Sequence, residues 1–301
     1  MINLLKFFKN NIGIYLKYLK IKNLPESKYN KFLIDEYLHR TGNELDFSNL
    51  VSYTEKMQYA KLYKNNSLKT RLSDKYAVRE WVAQKIGEEY LIPIYGAWNN
   101  YKEIDFENLP NEFVLKTNHG SGFNEIIRNK AKMNKLLSKV KFDYWMNIDF
   151  EYYTDLQPHY KGINKKIIAE KYLTDSDNEL KDYKFLCFNG EVHFVWVDVG
   201  RYSKHYRNVY NLNWELQPWK QHHYDNYPYE IPKPKNLNKM IEIAKVLCQG
   251  FSQVRVDLYN VDGDIYFGEM TFTNGSGFEL IYPNESNIEL GNLWNLNDYE
   301  V

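Results

Sequence analysis

Apolar residues recur at helical spacing through most of the first ninety residues. In the first 24 residues they make one apolar face, formed by Leu5, Phe8, Ile12, Leu16 and Leu19. Two more helices are predicted in "KYNKFLIDEYLHRTGNELDF" and "SYTEKMQYAKLYKNN", because their apolar positions repeat in the same way. The chain is therefore expected to begin with a helical segment, which we place at residues 1–70.

A further helix is expected in "LSDKYAVREWVAQKIG", with Ser73 or Asp74 as its cap and Gly87 as its stop. This helix places Lys75 and Arg79 four residues apart and therefore on one face. Taken alone, two such cations are what any solvated helix surface carries. Whether these two cations have a function depends on the strands that follow them in the chain.

Strand patterns begin near residue 90 and continue into the second half of the chain. "NEFVLKTNHGSGFNEIIRN" predicts two strands around a glycine-containing loop, and "KIIAEKYL" predicts another strand. Glu170 falls among the buried positions of that strand, where a carboxylate needs a partner. "DYKFLCFNGEVHFVWVDVGR" predicts a hairpin at its Asn-Gly turn, with Asp182 and Lys184 on one face.

The last predicted hairpin, "VRVDLYNVDGDIYFGEMTFTN", follows a helix that Gly250 ends. Its two strands flank an Asp-Gly turn, so Arg255, Asp257, Glu269 and Thr271 are expected on the same side of the sheet. Paired carboxylates suit Mg²⁺ that is bound jointly with nucleotide phosphates. An arginine beside them supplies a planar cation for a phosphoryl group.

Composition narrows the class of protein. The chain has 301 residues, 44% of them hydrophobic, and 39 basic against 39 acidic residues. It can therefore bury a real core, and its zero net charge argues against nucleic-acid binding by a strong overall field. Cys187 and Cys248 are not at metal-ligand spacing, which favours a reducing compartment, and we expect the cytoplasm.

The N-terminal helix adds a second expectation about location. Residues 1–24 contain five lysines and no acid. A secretory signal is not expected, because Lys9, Asn10 and Asn11 interrupt the apolar run. Two alternatives stay open: the helix packs on the domain behind it, or residues 1–22 lie on the inner, anionic face of a membrane.

Lys116 at the end of "FVLK", followed by "TNHGSG", is a candidate phosphate site, since a glycine loop can present amides to phosphate oxygens. It is not a Walker A loop, and an ordinary hairpin turn would explain the glycines equally well.

Together, "SDKYAVRE", "FVLK" before a glycine loop, "IIAEKYL" and "RVDLY…DG…YFGEMTFTNGSG" resemble the ATP-grasp superfamily in content and order. "TEKMQYAKLY", "LSDKYAVREWV" and "GEMTFTNGSGF" resemble its TupA-like branch, named after a teichuronopeptide biosynthesis protein. The resemblance covers residues 50–295. It implies an α+β ATP-grasp fold, with two lobes whose antiparallel sheets clasp ATP, placed at 71–165 and 166–301.

The resemblance also implies roles for single residues. Lys75 and Lys116 would hold ATP phosphates, and Arg255 and Lys184 would be catalytic, with Arg255 steadying the transferred phosphoryl group. The remaining ATP contacts would be the loop residues His119, Gly120, Ser121 and Gly122 and the hinge residues Glu170, Lys171, Tyr172 and Leu173. The Mg²⁺ ligands would be Asp257, Glu269 and Thr271.

Two departures from the family pattern stand out. Thr271 occupies a position where the superfamily has asparagine, a better metal ligand, and helices replace the α/β domain that usually comes first.

The implied reaction moves the γ-phosphoryl group of ATP to a carboxylate, which an amine then attacks. Similar proteins belong to cell-surface polysaccharide pathways, so a uronic acid and an amino acid or amine are the expected substrates. Tyr202, Tyr206, Trp214 and Trp219 either stack on sugar rings or belong to the core.

Two rival functions remain. A glycosyltransferase would use the "DSD" triplet at Asp175 to Asp177 as a metal and nucleotide-sugar site, although that triplet lies in a polar stretch suited to a turn. A catalytically silent nucleotide-binding protein would bind ATP without releasing ADP.

Overall fold

A computed structural model of the chain describes residues 2–176, 180–200, 204–221 and 224–297. The chain divides into two compact units that interleave along the sequence. Unit 1 comprises Met1–Tyr29, Asn65–Arg79 and Ile92–Tyr172, and unit 2 comprises Asn30–Lys64, Glu80–Leu91 and Leu173–Val301. The helices before residue 70 are therefore shared between the two units, which differs from the separate N-terminal segment that we expected.

The helices confirm the predicted pattern of the first seventy residues. The α-helices of the described residues are α1 Ile2–Lys22, α2 Tyr29–Thr41, α3 Tyr53–Tyr63, α4 Ser67–Ser73, α5 Val78–Ile86, α6 Lys135–Met146, α7 Phe150–Tyr153, α8 Leu237–Cys248 and α9 Asn284–Leu293. Although α1 is the longest of them, none of these helices combines the length and apolar character needed to cross a membrane.

The helix predicted between a cap at Ser73 or Asp74 and a stop at Gly87 is present as α5. α4 and α5 are separated by a turn in which the Asp74 Oδ1 accepts hydrogen bonds from the backbone amides two and three residues on, at 2.8 and 3.1 Å. Asp74 thus caps α5, and Lys75 lies in the turn. The prediction that Lys75 and Arg79 share one helix face is therefore wrong, whereas Gly87 follows the end of α5 as expected.

Unit 1 is built around a four-stranded antiparallel sheet with the order β1-β4-β2-β3. Its strands are β1 Ile94–Trp98, β2 Phe113–Thr117, β3 Asn124–Ile127 and β4 Ile167–Lys171. One face packs into a core with α6 through Phe113, Leu115, Ile167 and Ala169. Because β4 pairs with β1 and β2, the boundary between the units lies after Tyr172 and not at 165.

Unit 2 contains a five-stranded antiparallel sheet with the order β10-β9-β5-β6-β7. Its strands are β5 Asp182–Phe188, β6 Glu191–Val199, β7 Tyr206–Asn211, β9 Gln253–Val261 and β10 Asp264–Thr271, and β8 Lys220–Gln221 pairs separately with β11 Ile281–Tyr282. Both predicted hairpins, β5–β6 and β9–β10, are confirmed.

The two faces of this sheet have different partners. α8 packs on the face that carries Cys187, and that thiol lies beside the thiol of Cys248. On the opposite face, Leu186 and Trp196 join a core with α3 and α9. The polar side chains of the candidate site occupy the rest of that second face.

Candidate active site in two parts

The first part lies in unit 1, at the loop between β2 and β3. The Lys75 ammonium donates to the carbonyl oxygen of Gly120 at 2.6 Å, and its backbone amide donates to the carbonyl of Asn118 at 2.9 Å. Gly120 has a φ of +84°, and a Cβ there would meet the Phe150 ring at 2.3 Å. The loop therefore needs glycine at this position, and Lys75 is brought directly to it.

Only the tip of the loop is accessible. Ser121 and Gly122 are exposed, whereas His119 is 1% exposed and its Nε2 lies 3.2 Å from the carbonyl of Trp145. Burial lowers the pKa of His119 to about 4, so the ring is neutral at pH 7. The expectation of a ligand contact through the His119 side chain is therefore not supported by its position. Its ring instead holds the base of the loop.

Lys116 and Glu170, which were assigned separately, form an ion pair at 2.6 Å on the second face of the unit 1 sheet. Lys116 is thus the partner that a carboxylate in β4 requires. The Lys171 amide donates to the carbonyl of Pro93 at 2.9 Å. Tyr172 and Leu173 follow β4, where the chain passes from one unit to the other.

The second part lies in unit 2 on the β9–β10 hairpin. Cross-strand pairing places Glu269 opposite Asp257 and Thr271 opposite Arg255, because a bulge at Gly268 shifts the register by one residue. All four side chains predicted to share a face do so. The Arg255 guanidinium binds both oxygens of Asp257 at 2.7 Å and lies 3.5 Å from Glu269 and 3.1 Å from the Thr271 hydroxyl.

Lys184 on β5 extends this group. Its ammonium lies 2.8 Å from Asp257 Oδ2 and 3.7 Å from Asp198, and it also donates to Asp182. Burial alone would lower the pKa of Lys184, but the charges of Asp182 and Asp257 outweigh it and raise the pKa. Lys184 therefore stays charged and holds carboxylates from three strands together.

Two charged residues that we did not predict, Asp198 on β6 and Arg207 on β7, extend this group of side chains across the sheet. Arg207, 5% exposed, lies opposite Asp198 and binds its carboxylate, with one contact at 2.8 Å. Burial alone would raise the pKa of Asp198, but Arg207 holds it far below its usual range. The alternation argument that singled out Glu170 would also have found Asp198, which lies at a buried position of "FVWVDV".

We call this row the charged sheet face. Its members are Arg207, Asp198, Asp182, Lys184, Asp257, Arg255 and Glu269. Three cations against four carboxylates give these seven side chains a formal charge of −1. Glu269 is the most accessible of the carboxylates, with a side chain 31% exposed, while Asp257 is only 3% exposed.

The donor chemistry of Asp257 and Glu269 fits Mg²⁺. Hard carboxylate oxygens suit this ion, which is usually held by one or two carboxylates together with substrate phosphates. Within the described ranges no cluster of three or more His, Cys, Asp or Glu side chains could hold a metal by itself. The protein therefore offers only part of a metal site. The Asp257 carboxylate is bound here by the cations of Arg255 and Lys184.

The loop after β10 is held from two sides. Arg255 donates to the Asn274 side chain, and fully buried Lys61 on α3 donates to the carbonyl and hydroxyl of Ser276 at 2.9 and 3.1 Å. Ser276 has a φ of +55°, in the left-handed region that non-glycine residues rarely adopt. The helical segment thus supports the loop next to the charged sheet face, a role that sequence reasoning missed.

A family model for the TupA-like ATP-grasp proteins matches residues 55–295. The chain belongs to this family. The match includes both parts of the candidate site and α3, so the ATP-grasp fold expected from the motifs is confirmed. Members of the ATP-grasp superfamily are ATP-dependent ligases.

Solved ATP-grasp structures resemble the chain more distantly. D-alanine–D-alanine ligase from Bacillus anthracis is 16% identical over 67% of this chain, with a TM-score of 0.41. N5-carboxyaminoimidazole synthetase from Staphylococcus aureus is 14% identical over 67%, with a TM-score of 0.38. The matched parts are 57% and 44% of those two proteins, so this chain spans about half their length. No curated protein matches the chain.

The residues behind the alternative predictions are only partly described. Asp177 of the "DSD" triplet lies outside the described residues, while Asp175 lies 3.6 Å from Lys181. Of the aromatic residues considered for sugar stacking, Tyr202 also lies outside the described ranges. Trp219 is 4% exposed in the core of unit 2, so of the two alternatives the core one holds for this residue.

Proposed function

We propose that this protein is an ATP-dependent carboxylate–amine ligase. The γ-phosphoryl group of ATP passes to a carboxylate oxygen, which yields ADP and an acyl phosphate. An amine then attacks the acyl carbon, the bond to the phosphate oxygen breaks, and phosphate and a proton leave as the amide forms. The observation that carries this proposal is the arginine fork on Asp257, which also reaches Glu269.

On the charged sheet face, Arg255 is the residue suited to a phosphoryl group. Its planar guanidinium donates several hydrogen bonds in fixed directions, and it is held in place by Asp257 and Asn274. A cation fixed in advance stabilises charge that develops in the transition state without having to reorganise. Lys184 places a second cation against Asp257, at 2.8 Å.

In unit 1, Lys75 and Lys116 supply the positive charge for ATP phosphates. Both ammonium groups are held by protein acceptors, Gly120 and Glu170, at 2.6 Å. Phosphate oxygens are stronger acceptors for a cation than a carbonyl, so ATP can replace the contact to Gly120. Asp257 and Glu269 are the carboxylates that would hold Mg²⁺, which neutralises phosphate charge when bound.

For the substrates, we propose a uronic acid of a surface polysaccharide or its precursor as the carboxylate, and an amino acid or amine as the nucleophile. The resemblance to the TupA-like branch supports this choice. Trp214, which stacks on Tyr210 with 4.3 Å between ring centroids and is half-buried, offers an aromatic face for a sugar ring.

The test is a screen for ADP release with uronic acids paired with amino acids, followed by mass spectrometry of the amide. Turnover should require both substrates and Mg²⁺. Glu269→Gln should abolish it, while Glu242→Gln on the exposed surface of α8 is the matched control. ATP binding without ADP release for any pair would indicate a silent nucleotide-binding protein. Thermal stabilisation by sugar nucleotides instead of ATP would favour a glycosyltransferase.

A further inference from the structure

α1 has two apolar faces, and one of them anchors the helix to unit 1. Tyr18 and Ile21 are 2% and 1% exposed, and Tyr18 belongs to the aromatic core of that unit. Lys22 adds an ion pair with Asp149 at 2.7 Å. The alternative in which the helix packs on the domain behind it is therefore confirmed for this face.

The other face is the one that the periodicity predicted; the side chains of Leu5 and Phe8 on it lie outside the described part of the chain, and its other three residues are exposed. Ile12 and Leu16 are each 62% exposed and Leu19 is 36% exposed; we call these three residues the apolar stripe. Their spacing of four and three residues places them on one side of α1. Among the described residues, 16 large apolar side chains are exposed, and five of them lie between residues 12 and 19. Scattered exposed apolar residues are normal, but such a concentration is not.

The apolar surface continues from α1 onto α6. A groove of about 490 Å³ lies between the two helices, and Ile12, Tyr15, Val140 and Tyr144 are among its lining residues. Leu136, one turn before Val140 on α6, is 70% exposed. Asn11, Asp143 and Asn147 also line the groove, so the surface next to the stripe combines apolar and polar side chains, with Asp143 paired to Lys139 on α6.

All charged side chains of α1 are lysines, so the charge that this helix places beside the apolar stripe is positive. The helix carries lysines and no acid, and exposed Lys9 and Lys20 lie seven residues before and four residues after Leu16, on the same side. Within the described part of the chain neither lysine forms an ion pair. The stripe is therefore flanked by cations that lack a protein partner there.

We propose that α1 lies in the plane of an anionic lipid surface, with the apolar stripe in the acyl region and Lys9 and Lys20 on lipid phosphates. Amphipathic helices with this arrangement bind at the headgroup boundary without crossing the bilayer. The charge argues against a second copy of the chain as the occupant, because a symmetric contact would bring the lysines of two α1 helices together. Binding is independent of the ligase reaction.

Co-sedimentation of the full chain with vesicles tests this proposal. Vesicles that contain phosphatidylglycerol should bind it, and vesicles of phosphatidylcholine alone should bind it much more weakly. Each lysine near an anionic surface contributes about fivefold to the affinity. The double variant Lys9→Gln, Lys20→Gln should therefore bind the anionic vesicles roughly 25-fold more weakly. Ile12→Ser with Leu16→Ser should abolish it. Deleting α1 is a poor test, since it would remove Tyr18 from the core.

The matched control is Ile34→Ser with Leu38→Ser on α2, which are 37% and 48% exposed and also four residues apart. This pair should bind vesicles like the unaltered protein. Equal binding to both lipid compositions, absence of binding, or unchanged binding by the α1 variants would each overturn the proposal. A dimer that dissociates only in the Ile12→Ser, Leu16→Ser variant, without vesicle binding, would assign the stripe to a second copy.

Discussion

Replacing Lys184 by methionine removes the cation that joins three carboxylates on the charged sheet face. The side chain keeps its length and apolar stem, so the change is mainly one of charge. Lys184 is 5% exposed, and Asp182 and Asp257 are each 2% exposed. The variant therefore leaves ionised groups that water cannot solvate well, and we expect the folded state to lose stability.

The size of the loss follows from the distances. At 2.8 Å from Asp257, an effective dielectric constant of about 20 gives a gross attraction of about 6 kcal/mol, which the cost of desolvation opposes. Removing one partner of a buried pair costs about 3–5 kcal/mol, and we expect a value in this range. Lys245→Met is the matched control, because its pair with Glu191 at 2.8 Å is more than half exposed on both sides. Such a pair contributes less than about 1 kcal/mol.

Urea unfolding followed by tryptophan fluorescence gives both free energies. Lys184→Met leaves Asp182 and Asp257 without their shared cation. Adding Asp182→Asn removes one of these two carboxylate charges and should recover part of the lost free energy of unfolding, which a double-mutant cycle measures. A loss in Lys184→Met no larger than in Lys245→Met would refute the conclusion that the lysine charge holds these carboxylates. Additive effects of the two substitutions would refute the direct coupling to Asp182.

Four further predictions concern the same unit. Glu269→Gln should stay folded and lose turnover by on the order of a hundredfold or more, whereas Arg255→Lys should still bind nucleotide and lose the chemical step; normal activity per folded molecule would contradict both roles. Lys61→Met should increase amide hydrogen exchange in the loop at Ser276 with little change in melting temperature, and unchanged exchange would contradict its supporting role. The folded-state pKa of Asp198 is depressed, so its stabilisation is present above its unfolded pKa of about 4 and is lost as the pH falls below that; Asp198→Asn should flatten the fall in unfolding free energy in this range.

Local patterns were sufficient to predict the two hairpins of unit 2, because an Asp-Gly or Asn-Gly turn indicates which strands pair. They do not by themselves place Asp257 opposite Glu269. A regular pairing from the Asp262-Gly263 turn would put Gly268 opposite Asp257, and the bulge at Gly268 is what brings Glu269 there. The partner of Glu170 was not predictable in this way. Lys116 lies on a strand more than fifty residues earlier, and only the order of strands in the sheet brings the two together.

Long-range ion pairs account for most of what the sequence did not reveal. Asp198 and Arg207 lie on adjacent strands but are separated by a polar connection with no turn signal, so their pairing was not visible. Lys61 resembles a solvated helix lysine, yet it is fully buried because α3 packs against the loop after β10. The cap of α5 was predicted, but the place of Lys75 was not: it lies in the turn before α5, where the Asp74 side chain accepts two backbone hydrogen bonds.

The two faces of α1 show why periodicity alone cannot say which side of a helix is buried. Tyr18 and Ile21 are as apolar as Ile12 and Leu16, and the sequence contains both sets. The Tyr18 face is the one that packs in the core of unit 1, where the Tyr18 ring lies 6.3 Å from the ring of Tyr153 on α7. Once that face is used, the stripe cannot also pack on the same unit. Its exposure is therefore a consequence of how the helix is anchored, and the lysines beside it are the reason why we propose an anionic surface as its partner.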